Sequence, residues 1–180
     1  MYDNATLLCE PPTYDTVKKK HPAGICASFA CDWLKKLLAG KPINASTYEE
    51  AKRINKMIGR QNSYEKKGDL DVIANLYGIE FEHLKGLIYE RNDDAQDDFP
   101  AYFKGLPAGY YYMSLYDPGS GGHAMAYDKH VGQFAEANYG VFAMNNRPFT
   151  EFLSQCKDYL EDDGVRVKSV SVYRATLKKK

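Results

Sequence analysis

A chain of 180 residues with 24 basic and 24 acidic side chains carries no net charge, so its balance gives no reason to expect nucleic acid or a membrane surface as partner. That length suits one domain able to bury its own core without staples. Its four cysteines, at positions 9, 26, 31 and 156, show no C-x-x-C spacing, which argues against a metal centre and a disulfide framework alike.

The chain opens on Met1-Tyr2-Asp3-Asn4-Ala5-Thr6, with no basic segment leading into an apolar run, so it does not read as a Sec signal peptide. No apolar stretch approaches the roughly 18 residues of a membrane span. Export by another route would leave no such mark. Residues 1–25 read as irregular, with Pro11-Pro12 and a basic run Lys18-Lys19-Lys20 expected in a solvated loop. From Cys26 the pattern becomes helical: Phe29, Ala30, Trp33 and Leu37 share one face with it. Gly40 and Pro42 close that helix. Ser46-Thr47-Tyr48-Glu49-Glu50 has the form of a capping box for a second helix carrying Ala51, Ile54, Met57 and Ile58. A third fits Leu70, Ile73, Ala74 and Tyr77, stopped by Gly78.

Ile79 to Phe81 reads as a short strand, Asn92 to Asp98 as an acidic loop, and Phe99 to Leu106 as one or two helical turns. The second half changes character. Strands are expected over Tyr110–Tyr116, His123–Tyr127, Gln133–Asn138 and Val141–Met144, with a Gly-rich loop at 117–122 and a turn at 128–132. Arg147-Pro148 opens a helix with Pro at its first position, its apolar face being Phe149, Phe152, Leu153, Cys156 and Leu160. Val165 to Ala175 completes the set as a strand, with a bulge expected near Ser169, where the apolar positions change parity. Helices first and an antiparallel sheet after is an α+β pattern. The helical half covers about residues 1–106 and the sheet half about 107–180, within one domain.

The chemistry gathers at few residues. A helix start presents unpaired N–H groups and the positive end of the macrodipole, and both favour thiolate over thiol. Cys26 occupies such a place, so it is the candidate nucleophile. A thiol hydrolase also needs a base and a polar group to orient it. Of four histidines, His21 falls on an irregular loop, His83 has no polar cluster beside it and His130 falls in a turn. His123 follows Gly121-Gly122 at the start of an apolar strand and is the candidate base. In the hairpin that follows, one turn register puts Glu136 opposite His123 and the other puts Asn138 there. Whichever is opposite, the other is its diagonal neighbour on the same face. Cys9, Cys31 and Cys156 read as buried structural thiols and Trp33 as core. The run Tyr110-Tyr111-Tyr112 reads as sheet packing, and Lys178-Lys179-Lys180 as a solvated tail.

Three blocks resemble the YopT/AvrPphB type of papain-like cysteine protease: Gly24-Ile25-Cys26 with Trp33, then Gly122-His123-Ala124, then Glu136-Ala137-Asn138-Tyr139-Gly140-Val141-Phe142. They occur in the family's order across residues 24–142. The resemblance implies a papain-like α+β fold, Cys26 as nucleophile, His123 as base and Glu136 at the place of the family's Asp. Glu136 is one methylene longer than that Asp, and Ala135 replaces the aromatic before it. Asn138-Tyr139-Gly140 resembles instead the Asn block of papain proper, so Asn138 stands beside Glu136 as the orienting residue. The Cys26 backbone N–H is one expected oxyanion donor. The side-chain donor that papain-like enzymes carry shortly before the Cys is not evident, the position six before being Lys20.

The activity implied is cleavage of a specific protein substrate, with no cofactor and no metal. The implied context is a bacterial effector and virulence factor, secreted by a non-Sec route to act on a host protein. The same residues would serve an acyltransferase, deamidase or amidase, and the scaffold could serve a non-catalytic binding module.

Overall fold

The computed structural model describes residues 2–12, 17, 24–41, 51–89, 98–117 and 121–179. The basic run at 18–20, His21, the capping box at 46–50, residues 92–97 of the acidic loop and residues 118–120 of the Gly-rich loop lie outside these.

Seven strands form one sheet: β1 (Thr6–Cys9), β2 (Ile79–Ile88), β3 (Tyr110–Asp117), β4 (Gly121–Asp128), β5 (Gln133–Glu136), β6 (Gly140–Ala143) and β7 (Ser169–Leu177). Their spatial order is β1-β6-β5-β4-β3-β7-β2, and every neighbouring pair is antiparallel. The helices are α1 (Cys26–Leu38), α2 (Ala51–Lys67), α3 (Leu70–Tyr77), α4 (Phe99–Gly105) and α5 (Phe149–Asp162).

Helices cover both faces of the sheet. Successive strand side chains point to opposite faces, and the strands divide accordingly. Tyr112, Ala124, Ala126 and Ala135 join α1, α2 and α3 in one core, around Phe29, Trp33, Met57 and Ile73. Tyr111, Met113, Met125 and Phe134 join α4 and α5 in the other, around Phe103, Phe149 and Phe152. The three alanines lie where α1 crosses, and a small side chain at each lets the helix sit close on the sheet. The architecture is thus α+β, an antiparallel sheet with helices on both sides.

Several expectations are corrected. Residues 6–9 are not irregular; they pair with β6 along one edge of the sheet. The strand expected over Ile79–Phe81 runs on to Ile88 and forms the other edge. Strands from before residue 106 thus close both edges, and the sheet draws on both halves of the chain. The strand expected from Gln133 to Asn138 stops at Glu136, and residues 137–139 turn. The last strand begins at Ser169, so Val165 and Val167 precede it. The bulge lies across from that strand, at Leu84 of β2 between the His83 and Lys85 pairings. Pro148 stands at the N-cap of α5 rather than inside it. Periodicity shows where burial alternates; it does not show which strands have partners, and here partners set the lengths.

Candidate active site

Gly24 adopts a positive φ of 85°, which L side chains avoid, and so breaks the chain just ahead of α1. Ile25 then takes the N-cap position, where its apolar side chain caps nothing. Cys26 is therefore the first residue of a helix whose leading N–H groups lack a local acceptor. One of them is satisfied from elsewhere: the Ser28 N–H donates to Gln61 Oε1 of α2 at 3.0 Å. The Ser28 hydroxyl meets the Tyr77 hydroxyl of α3 at 2.5 Å. Two neighbouring helices thus hold the first turn of α1, and Cys26 stays half-buried at a cleft of about 900 Å³.

His123, near the start of β4, borders the same cleft. Its imidazole is buried, interacts with the Cys26 side chain, and puts Nε2 against Glu136 Oε1. With the imidazole protonated, this contact is a buried ion pair. With Nε2 turned to the carboxylate, Nδ1 is the nitrogen left for the thiol. Burial alone would push the imidazole pKa down; the Glu136 carboxylate and the Cys26 contact override it and hold the pKa well above its usual value.

Glu136 is 1% exposed, and backbone donors fix its carboxylate. The Asn138 N–H lies 3.1 Å from both oxygens, and the Tyr139 N–H donates to Oε2 at 3.0 Å. The hairpin register explains which residue reaches His123. Met125 faces Glu136 and Asp128 faces Gln133, a register that carried further would put Asn138 opposite His123. The chain turns away first, so Glu136 reaches His123 along the diagonal, where an extra methylene is useful. Asn138 brings its backbone N–H, while its side chain is exposed.

The remaining residues fall into place plainly. Cys9, Cys31 and Cys156 are buried, and burial pushes the Cys31 thiol far up and the Cys156 thiol up to about 12. Trp33 is fully buried. His83 is exposed on β2 against the Tyr173 ring, and His130 is exposed in the β4–β5 turn against Tyr110. Among the described residues no three His, Cys, Asp or Glu side chains gather as metal ligands would. No helix of the described residues is long and apolar enough to cross a membrane. Gln61 is the residue that sequence reasoning missed. It had a signal, being the one polar side chain in the buried stripe Ile54, Met57, Ile58, Gln61.

No protein-family model and no curated protein matches this chain. Among solved structures, the crystal structure of the Pseudomonas avirulence protein AvrPphB superposes with a TM-score of 0.63, covering 92% of this chain and 96% of that one. The fold is that of AvrPphB. Identity over the match is 16%, so what the two chains share is the path of the backbone.

Proposed function

We propose that the chain is a thiol protease in which Cys26, His123 and Glu136 form the catalytic site. The observation that carries this reading is the contact chain from the Cys26 thiol through the His123 imidazole to the Glu136 carboxylate, at a helix start whose own N-cap residue offers no acceptor. A raised imidazole pKa means that His123 accepts the thiol proton readily, leaving a thiolate paired with an imidazolium. The thiolate attacks the substrate carbonyl carbon, and the oxygen gathers negative charge near the Cys26 N–H. The C–N bond breaks, His123 gives its proton to the leaving amine, and a thioester remains on Cys26. Water then attacks the thioester, His123 taking its proton and returning it to the sulfur. Glu136 keeps the ring in the orientation that presents Nδ1 to the thiol, and Asn138 and Tyr139 act through Glu136. The substrate is a protein segment laid in the cleft. Likeness to AvrPphB extends the reading to an effector delivered into a host cell by a non-Sec route, cleaving a host protein.

The test is the pH dependence of Cys26 alkylation by iodoacetamide, in the native chain and in His123→Ala. The reading requires fast alkylation with an apparent pKa well below the free-thiol value of about 8.5, and ordinary behaviour once the imidazole is gone. Equal profiles in the two proteins would overturn it and leave a binding module on the same scaffold. Ammonia release from a protein glutamine, or acyl transfer without peptide cleavage, would keep the site and change the reaction.

A further inference from the structure

We infer that Gln61 is a positioning residue that caps the nucleophile helix from outside and, being neutral, leaves the electrostatics of Cys26 undisturbed. The inference rests on the thiol-hydrolase reading. Helix α1 has no cap of its own, because Ile25 offers no acceptor. Gln61 is 3% exposed, and its Oε1 accepts the Ser28 N–H two residues beyond the nucleophile. Only an oxygen can face that N–H, so the amide orientation is dictated, and Nε2 is then turned to Glu65 Oε1, 2.9 Å away. Glu65 sits one turn further along α2 and locks the amide in this sense.

An acidic side chain is the commoner answer to an open helix start, because it satisfies an N–H and complements the dipole together. Beside a catalytic thiolate it would work against function: a fixed negative charge on the first turn raises the thiol pKa. A carboxamide makes the same hydrogen bond with no net charge. The acid of the pair stands instead at position 65, one turn further along the same face of α2, where it is exposed at the border of the cleft. The cap also ties the first turn of α1 to α2.

The surroundings let this charge effect be read. Among the described residues, the groups that titrate around Cys26 are His123 on β4, Tyr64 on α2, Tyr112 on β3, Cys31 on α1 and Cys156 on α5. Burial pushes the last four upward, so His123 is the main partner of Cys26 near neutral pH. Among the described residues, the charged side chains on the elements packed here include Asp32 of α1, Arg60 and Glu65 of α2, Glu136 of β5, and Asp163, which borders the cleft just after α5.

The experiment exchanges the pair, Gln61→Glu with Glu65→Gln. Net charge and both hydrogen bonds are kept, and only the negative charge moves one turn toward α1. Alkylation profiles from about pH 5 to pH 9 are compared among this exchange, Gln61→Met, His123→Ala and the native chain. The exchange is expected to melt close to native while the apparent pKa of Cys26 rises by about half to one unit. That is alkylation about three- to tenfold slower at pH values below the pKa. Gln61→Met, which removes the acceptor, is expected to melt lower without that upward shift. An exchange variant with the native profile overturns the inference. So does one that melts far below native, or a Met variant as stable as the native chain. If His123→Ala leaves the native profile unchanged, the thiol-hydrolase reading itself has failed, which is a separate result.

Discussion

At His123 and Glu136 a single carboxylate decides the behaviour of a buried imidazole. Removing its charge in Glu136→Gln takes away the main influence that raises the His123 pKa and leaves burial to lower it. Cys26 alkylation in that variant is expected to move toward an ordinary thiol profile, whereas Asn138→Ala, which alters an exposed side chain, should leave it near native. Stability carries a matching signature. A group whose folded pKa lies above its unfolded value stabilises the fold below the unfolded value, about 6.5 for His, and that contribution fades as pH rises through the folded value. The urea-midpoint gap between the native chain and Glu136→Gln is therefore expected to be widest below about pH 6.5 and to narrow as the pH is raised. A gap that widened with pH would contradict the assigned charge states.

The β5–β6 turn and the start of α1 are the segments on which the site depends. Gly140 opens β6 at a φ of 119°, and a Cβ built there would stand 2.2 Å from the Cys9 carbonyl oxygen of β1. Nothing at that position can give way cheaply, because the obstacle is backbone. Gly140→Ala is expected to cost roughly 2–4 kcal/mol, from an unfavourable φ and a clash together. It should also slow Cys26 alkylation, since the turn it distorts is the one whose N–H groups hold Glu136. Gly24 also has a positive φ, but open space surrounds it. Gly24→Ala is accordingly expected to cost only about 1 kcal/mol. Thermal or urea unfolding of the two variants checks the order.

Between the two faces of the sheet, the α5 side is tied together by Tyr2, which is 3% exposed. Its ring makes edge contacts with Phe134, Phe142, Phe152, Tyr139 and Tyr159, with centroids 4.9 to 6.3 Å apart. It thus links β5, β6 and α5 to the turn beneath Glu136. Tyr2→Ala opens an aromatic-sized cavity there, and a loss of about 3 kcal/mol or more is expected. Unfolding in urea measures it, and a value near zero would mean that the residues before β1 do not carry this core. Among the described residues, the core on the α1 side packs α1 closely over Ala124, Ala126 and Ala135. A bulky residue at Ala126 should lift α1 and separate Cys26 from His123.

Much of this was legible in the order of residues, wherever the signal is local. The α1 stripe, the Gly78 stop with its left-handed cap, the β3, β4 and β6 strands and the face of α5 all follow from neighbours a few positions apart. A helix-start Cys and a strand-start His stand out in the same way, from residue types and the two periods, whereas their meeting is a matter of the closed fold. The extent of β2, the β1 strand and the place of the bulge were not legible, because they depend on partners about 80 to 140 positions away. Alternation left Glu136 and Asn138 level, and a chain reversal one residue past Glu136 puts the Glu136 carboxylate, not the Asn138 side chain, against His123. Gln61 stood out as a polar side chain in an apolar stripe, yet its partner, the Ser28 N–H of another helix, is named by no pattern. Periodicity and residue type act along the chain and can be read there. Partnership across the fold costs loop entropy and is repaid only by contacts between distant segments, so it exists only once the molecule has closed.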